Sequence, residues 1–257
     1  MLILLSPAKS LDFSLSAVDA HSVPEQLEET DALIKTLRAK SQDEVADLMG
    51  LSEKLAELNF DRYQSYERPV SPDENTKQAL LAFTGDVYRD WPLDTYNAAD
   101  FEYAQGHLRI LSGLYGALRP LDLIRPYRLE MGTRLATDRG TNLYQFWGSS
   151  ITDKLNETLK DTGDDTVVNL ASNEYFSSVK KRELKAEIVS PVFKDWKNGK
   201  YKIISFFAKR ARGAMAHYLL KNRVESLEGL RAFDSDGYRF DEESSTTDAP
   251  VFLRRQG

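Results

Sequence analysis

The spacing of apolar residues changes period along this chain, and that change limits the folds open to it. Met1–Leu5 is a continuous apolar run ended by Ser6-Pro7. It reads as a short buried strand, because proline cannot continue a central ladder. From about residue 20 to 100 the period is helical. Leu27, Ile34 and Leu37 share one face of a helix from about Pro24 to Lys40, and Ser41 with Glu44 forms a capping box before Val45, Leu48 and Met49. Leu51, Leu55 and Leu58 continue the pattern, and Ser71-Pro72-Asp73-Glu74 signals another helix start. Asp100 is placed to cap a helix carrying Phe101, Ala104, Leu108 and Leu111, while Trp147, Ile151, Leu155 and Leu159 mark one more.

Beyond residue 165 the pattern turns to strand. Thr166–Leu170 is a β-branched run, and Ala186–Trp196 and Lys200–Phe207 flank Asn198-Gly199, a strong hairpin signal. Ala208–Val224 returns to helix, and Asp234–Gly237 reads as a hairpin turn between Phe233 and Tyr238. No low-complexity linker or internal repeat separates these parts. The expectation is a mixed α/β (α+β) fold forming a single compact domain over residues 1–257. It has an acidic helical part at about 20–100 and a basic strand-hairpin-helix part at about 165–225. The N-terminal strand is expected to join a mixed sheet with strands from the C-terminal half.

Composition narrows the chemistry. With 41% apolar side chains in 257 residues the chain can bury a large core. It has no cysteine, which excludes disulfides, thiolate metal ligation and cysteine nucleophiles, and fits a reducing compartment. His21, His107 and His217 are scattered and none has a metal-ligand spacing. No dedicated metal site and no cofactor are expected. Met1–Leu5 is too short for a signal segment and no run of apolar residues would span a bilayer, so a cytoplasmic protein without membrane contact is expected.

Charge is segregated. Ser177 to Arg231 holds fourteen Lys/Arg against five Asp/Glu, within a chain of formal net charge −6, whereas residues 1–100 hold nine basic against nineteen acidic residues. Concentrated positive charge in an acidic protein suits an anionic partner, since the local field governs encounter with phosphate; the alternative is a solvated basic face. Within this stretch Lys209, Arg210 and Arg212 fall in the first turns of the Ala208–Val224 helix, where they oppose the macrodipole and call for an offsetting anion or nearby acids. Lys180, Lys181, Arg182 and Lys185 extend the same positive surface.

Two more constellations stand out. Phe101–Asp122 has the outline of a helix-hairpin-helix element, with Ser112, Gly113 and Gly116 at the turn, although a glycine C-cap followed by a turn is the other reading. From Arg109 to Arg139 there are six arginines and no lysine. Arginine's planar fork favours phosphate contact for Arg109, Arg119 and Arg125, and internal pairing with Asp122, Glu130 or Asp138 for Arg128 and Arg134. The second constellation begins at Ser6 and Lys9, just after the first strand, where parallel sheets often keep their sites. A desolvated Lys9 would serve as base or nucleophile, with Glu130, Asn169, Ser172 and Glu174 as partners.

The segments LLSPAKSLDF, SGLYGALRPLDLIRPYRLEMG, YQFWGSSITDKLN, NLASNEYFSSV, ISFFAKRARGAMAHYLLKNRV and FDSDGYRFDEESS resemble the peroxide stress protein YaaA family from Met1 to about Ser245. The resemblance implies a cytosolic protein of the hydrogen-peroxide response associated with lower unincorporated iron. It also implies a mixed α/β "cantaloupe" fold, and binding to double-stranded or structured DNA through a positive cleft and a helix-hairpin-helix element, which maps to Ser112–Gly116. With carboxylates as the only plausible iron ligands, an indirect effect on iron is expected. Two functions therefore compete. One is a non-enzymatic, sequence-tolerant DNA-binding protein. The other is an enzyme acting on a nucleotide or other phosphate-bearing substrate, with Ser6, Lys9, Arg128, Glu130, Asn169, Glu174 and Lys209 in one cleft. No protein partner is legible.

Overall fold

The computed structural model describes residues 1–16 and 18–255 and is a mixed α/β structure. β1 (Leu2–Leu5) is wholly buried, as its composition demands, and leads through Ser6-Pro7 to the two-residue β2 (Ser10–Leu11). Three helices follow, α1 (Leu27–Arg38), α2 (Gln42–Met49) and α3 (Glu53–Gln64). Ser41 and Glu44 form the expected capping box, and Gly50 ends α2 in the left-handed conformation. α3 presents a different face from the one its leucines suggest: Leu55 and Leu58 are exposed, while Ala56, Asn59 and Tyr63 are buried. The Tyr63 hydroxyl donates to the Arg128 carbonyl, and seating that ring and its polar tip outweighs two leucines.

Ser71-Pro72-Asp73-Glu74 opens no helix. Asp73 Oδ1 accepts from the Asn75 N–H at 2.7 Å, closing an Asx turn that competes with helix initiation. The chain then makes β3 (Lys77–Gln78), α4 (Ala79–Ala82) and β4 (Phe83–Thr84). α5 (Ala98–His107) is capped by Asn97, with Asp100 at the third helical position closing a capping box. Leu108 and Leu111 belong not to that helix but to the fully buried β5 (Leu108–Ser112), which β6 (Gly116–Leu118) follows antiparallel. β7 (Leu123–Ile124) pairs with β3. The Trp147–Leu159 pattern is split at Gly148, φ 51, into α6 (Leu143–Trp147) and α7 (Ser150–Thr162).

The last third holds β8 (Thr166–Asn169), α8 (Asn173–Phe176), β9 (Glu187–Val189), β10 (Val192–Lys197) and β11 (Lys200–Lys202). Asn198 and Gly199, at φ 56 and 79, make the expected tight turn. The expected strand to Phe207 stops at Lys202, because α9 (Ser205–Lys221) begins three residues later. After α10 (Leu227–Arg231), a 3-10 turn at Ser235–Gly237, rather than a hairpin, leads into β12 (Arg239–Asp241), and β13 (Val251–Arg254) follows.

Two sheets organise these elements. The first has the order β6-β5-β1-β8-β9, with β5 and β8 parallel to β1 on either side. The N-terminal strand pairs, as expected, with a strand from the C-terminal half, Leu2 opposite Val167, but its other neighbour comes from the first half, Ile3 opposite Leu108. The second has the order β11-β10-β13-β12. α9 packs against β1 and β10 and so lies between the sheets. Its Gly213 meets the segment after β4 so closely that a Cβ there would stand 1.7 Å from the Val87 carbonyl oxygen.

Candidate functional site

A cavity of about 380 Å³ opens where β1 and β8 end, at the carboxyl edge of the parallel strands. Both strands end in short polar loops for a local reason: Ser6-Pro7 stops the first ladder, and Asn169 Oδ1 accepts from the Ala171 N–H at 3.1 Å, turning the second. The loops are tied together, since the Ser172 N–H donates to Ser6 Oγ at 2.9 Å. Tyr88 also donates to the Ser6 carbonyl at 2.7 Å, fixing the segment after β4 against the same loop.

Opposite stands the stretch Tyr127–Glu130, held against β5 where Gly113 allows the Leu129 backbone to approach; a Cβ on Gly113 would lie 2.3 Å from the Leu129 oxygen. Lys9 Nζ lies 2.8 Å from Glu130 Oε2, and Arg128 lies 3.3 Å from Glu130 Oε1. One carboxylate therefore faces two cations. Arg128 Nε is buried with no hydrogen-bond partner, an orphaned donor whose desolvation nothing offsets. On the third side Glu174 accepts from the Gly132 N–H at 2.9 Å. Tyr127 and Tyr175 also line the cavity, and burial pushes both hydroxyls well above the usual tyrosine range, so they stay protonated.

α9 closes the cavity with Lys209 and Arg212. Lys209 Nζ is 3.9 Å from Asp86, and Arg210, one position on, turns away to pair with Asp90 at 2.7 Å. Arg212 is half-buried, burial lowers its pKa, and among the described residues no carboxylate pairs with it. Arg89, exposed, adds a further cation at the rim. This arrangement can hold a phosphate by charge-assisted hydrogen bonds from two guanidinium groups. Lys9 and Glu130 stand beside that position as an ion pair, with the Lys9 side chain exposed rather than desolvated as the base or nucleophile role required.

Comparison with known proteins decides the family. A family profile described as "Peroxide stress protein YaaA" matches residues 1–244. The chain belongs to the peroxide stress protein YaaA family. A relative named UPF0246 protein, from Shewanella halifaxensis (strain HAW-EB4), is 54% identical over 255 residues, 99% of either chain. The family's name sets the chain in the response to peroxide stress. No helix among the described residues is long and apolar enough to cross a membrane.

Several residues expected at a DNA contact lie elsewhere in this YaaA-family chain. Ser112, Gly113 and Gly116 are not part of a helix-hairpin-helix but of the buried β5–β6 hairpin, where Ser112 Oγ accepts from the Leu114 and Tyr115 N–H groups at 3.2 and 3.0 Å. Those amides are spent internally and face no solvent. Arg109 is buried, its guanidinium donating to the Gln105 and Leu108 carbonyls and Thr158 Oγ1, with burial lowering its pKa to about 10. Arg119 pairs with Asp122 and Glu25, and Arg125 with Asp73. The three arginines expected at phosphate are thus engaged internally, while Arg128 pairs with Glu130 as expected and also lines the cleft. Arg134 is exposed and forms no ion pair among the described residues. Lys180, Lys181 and Arg182 follow α8 outside the cavity; Lys181 rests over the Phe176 ring. Asn169 shapes the loop and does not line the cavity, being bonded to Ala171 and Ser190. Ser6, Lys9, Arg128, Glu130, Glu174 and Lys209 do converge there. Arg89, Asp86, Tyr127 and Tyr175 were not singled out from sequence; the only local signal for the first two is the polar turn at Gly85.

Proposed function

We propose that this protein serves the peroxide response as a DNA-binding protein, largely indifferent to sequence, whose cleft takes a backbone phosphate. The observation that carries this is a pair of guanidinium groups at one cavity lacking full anionic compensation, Arg212 without a carboxylate and Arg128 with an unpartnered Nε. A phosphate in the cavity supplies the anion that Arg212 lacks and adds to the single carboxylate that Arg128 shares with Lys9. The cavity has room for a phosphate and its sugar rather than a duplex, so the duplex would rest on the rim cations Lys9, Arg89 and Lys209. Contacts of that kind position the backbone and carry no base information, which gives sequence tolerance. Shielding or repair of DNA needs only this surface, and an effect on free iron lies downstream of it, since oxygen donors alone compete poorly for ferrous iron.

The test is fluorescence anisotropy with a labelled duplex across a salt series, comparing wild type with Arg212→Glu and Lys209→Glu. Each is expected to weaken binding of unrelated sequences alike and to reduce the log–log salt slope by about 1 per lost phosphate contact. Equal affinity and slope in wild type and both variants would remove the cleft from DNA binding.

A second reading is favoured by one specific observation, the 2.8 Å Lys9–Glu130 contact beside Arg128 inside a cavity of nucleotide size. It is an enzyme acting on a nucleotide or other phosphate-bearing substrate, with Ser6, Lys9, Glu130 and Lys209 around the reacting group. Arg128 and Arg212 would hold the phosphate in either reading, and the second asks in addition for proton transfer at the Lys9–Glu130 pair.

A further inference from the structure

Four of the exposed large apolar side chains fall in a single stretch, Trp196, Tyr201, Ile203 and Phe206. The register of the hairpin explains how the first two come together. In β10 Phe193 and Asp195 point to the interior, so Lys194 and Trp196 point out, and Trp196 is the direct cross-strand partner of Tyr201. Their ring centroids lie 5.0 Å apart at 71°, and the Arg255 guanidinium sits 4.8 Å from the Trp196 centroid. Ile203, two residues beyond Tyr201, is 58% exposed and continues the face.

An aromatic cross-strand pair steadies a ribbon, and that alone would account for Trp196 and Tyr201. It does not account for the charge around them. Lys194 shares the face of Trp196 and Tyr201, and Arg255 borders it, while Lys197, Lys200 and Lys202 alternate to the other face and to the tip of the same ribbon. Among the described residues none of these five forms an ion pair. The one acid on the ribbon, Asp195, is buried and committed to Arg254 at 2.6 Å and to the Tyr238 hydroxyl at 3.0 Å. Exposed aromatic rings set among uncompensated cations are what an unpaired nucleic-acid strand needs, since bases stack on the rings while phosphates meet the cations.

We propose that the outer face of the β10–β11 ribbon is a stacking platform for unpaired DNA, so that the protein favours frayed, gapped or single-stranded sites. The proposal deepens the DNA-binding reading and rests on it, but uses a surface separate from the cleft. A duplex keeps its bases stacked on one another, and so gains only the electrostatic part of this surface.

The test uses the full chain and two probes, a fluorescein-labelled oligothymidylate of roughly a dozen nucleotides and a blunt duplex. Trp91 and Trp147 are buried, so a change in tryptophan emission reports Trp196. Oligothymidylate is expected to quench that emission. Trp196→Ala and Tyr201→Ala are each expected to weaken oligothymidylate binding by about fivefold to a hundredfold, the range of one lost base stack, with duplex affinity little changed. Because alanine loosens the ribbon, Lys194→Glu, on the same face as Trp196, forms the second variant, expected to lower the oligothymidylate salt slope by about 1 without disturbing the fold. Absence of quenching, or unchanged oligothymidylate affinity in all variants, overturns the platform. Equal loss for duplex and oligothymidylate overturns it too, and reduces the face to general electrostatics. Duplex binding that depends on Arg212 but not on Trp196, without quenching, sinks the platform and leaves the cleft reading standing. Quenching by oligothymidylate with no duplex binding does the reverse.

Discussion

Gly213→Ala separates helix propensity from tertiary fit at the wall of the cleft. In an isolated helix the change favours folding by about 0.8–1 kcal/mol. Here the new Cβ would stand 1.7 Å from the Val87 oxygen and 2.8 Å from its carbon, both backbone atoms that cannot rotate aside. Restoring ordinary contact requires α9 and the 85–89 segment to part by about 1.5–2 Å. Overpacking of this kind costs typically 1–3 kcal/mol, and more where the neighbour is backbone. After the propensity gain the net loss is about 1–2 kcal/mol, a fall in Tm of roughly 2–8 °C for a chain of this size. Lys209 and Arg212 ride on α9 while Asp86 adjoins Val87, so the same displacement opens the cleft and weakens phosphate binding. Thermal unfolding followed by circular dichroism, with duplex anisotropy at one salt concentration, reads both effects. Gly106→Ala is the matched control, since its Cβ would meet only Thr162 Cγ2 at 3.9 Å. A Tm for Gly213→Ala equal to or above wild type would refute the close seating of α9 on Val87.

Asp164 provides a pH test. Burial pushes its carboxyl up, but hydrogen bonds from His107, the Met1 α-amino group and Thr162 outweigh that and hold it at about 2 rather than 3.8. Its folded pKa lies below its unfolded one, so the stabilisation, about 2 kcal/mol, is complete above pH 4 and is lost as pH falls through about 2. Asp164→Asn is expected to be less stable than wild type at pH 7, with the gap closing on acidification; a gap unchanged down to pH 3 would contradict the pairing. At the cleft, Glu130→Gln removes the carboxylate that Lys9 and Arg128 share. Under the enzymatic reading a nucleoside monophosphate should then raise Tm more in the variant than in wild type, because two cations are freed for it, while turnover disappears. No thermal shift in either protein would count against that reading.

What the sequence discloses depends on whether a signal is local. The apolar run before Ser6-Pro7, the Ser41–Glu44 box and the Asn198-Gly199 turn each complete their physics within a few residues, and all three stand in the structure. The helix through Leu108 and Leu111 fails because a strand buried on both faces has no period of its own, so β5 extends the spacing of α5 without a visible seam. The same limit hides the break at Gly148. Site residues divide along the same line. Lys9 and Ser6 follow a buried strand, where polar groups have few structural uses. The fate of an arginine, in contrast, can depend on acids remote in sequence: Arg125 is claimed by Asp73, and nothing near it says so, whereas Arg119 is held by the neighbouring Asp122 as well as by the distant Glu25. Arg212 reaches the cleft because Gly213 lets its helix approach, and that is a fact about packing.

The placement of β1 has a consequence for how the protein is made. It is synthesised before both of its neighbours, Leu108–Ser112 and Thr166–Asn169. At roughly 5–20 residues per second, the second neighbour follows after about 8–30 seconds. Until Leu108–Ser112 is made MLILL has neither edge paired, and until Thr166–Asn169 is made one edge stays open, a nascent segment with the character of a chaperone ligand. The sheet can close only by inserting this oldest strand between two younger ones. Yield in a cell under oxidative load would then be governed by chaperone supply during translation, before the stability of the finished fold is tested.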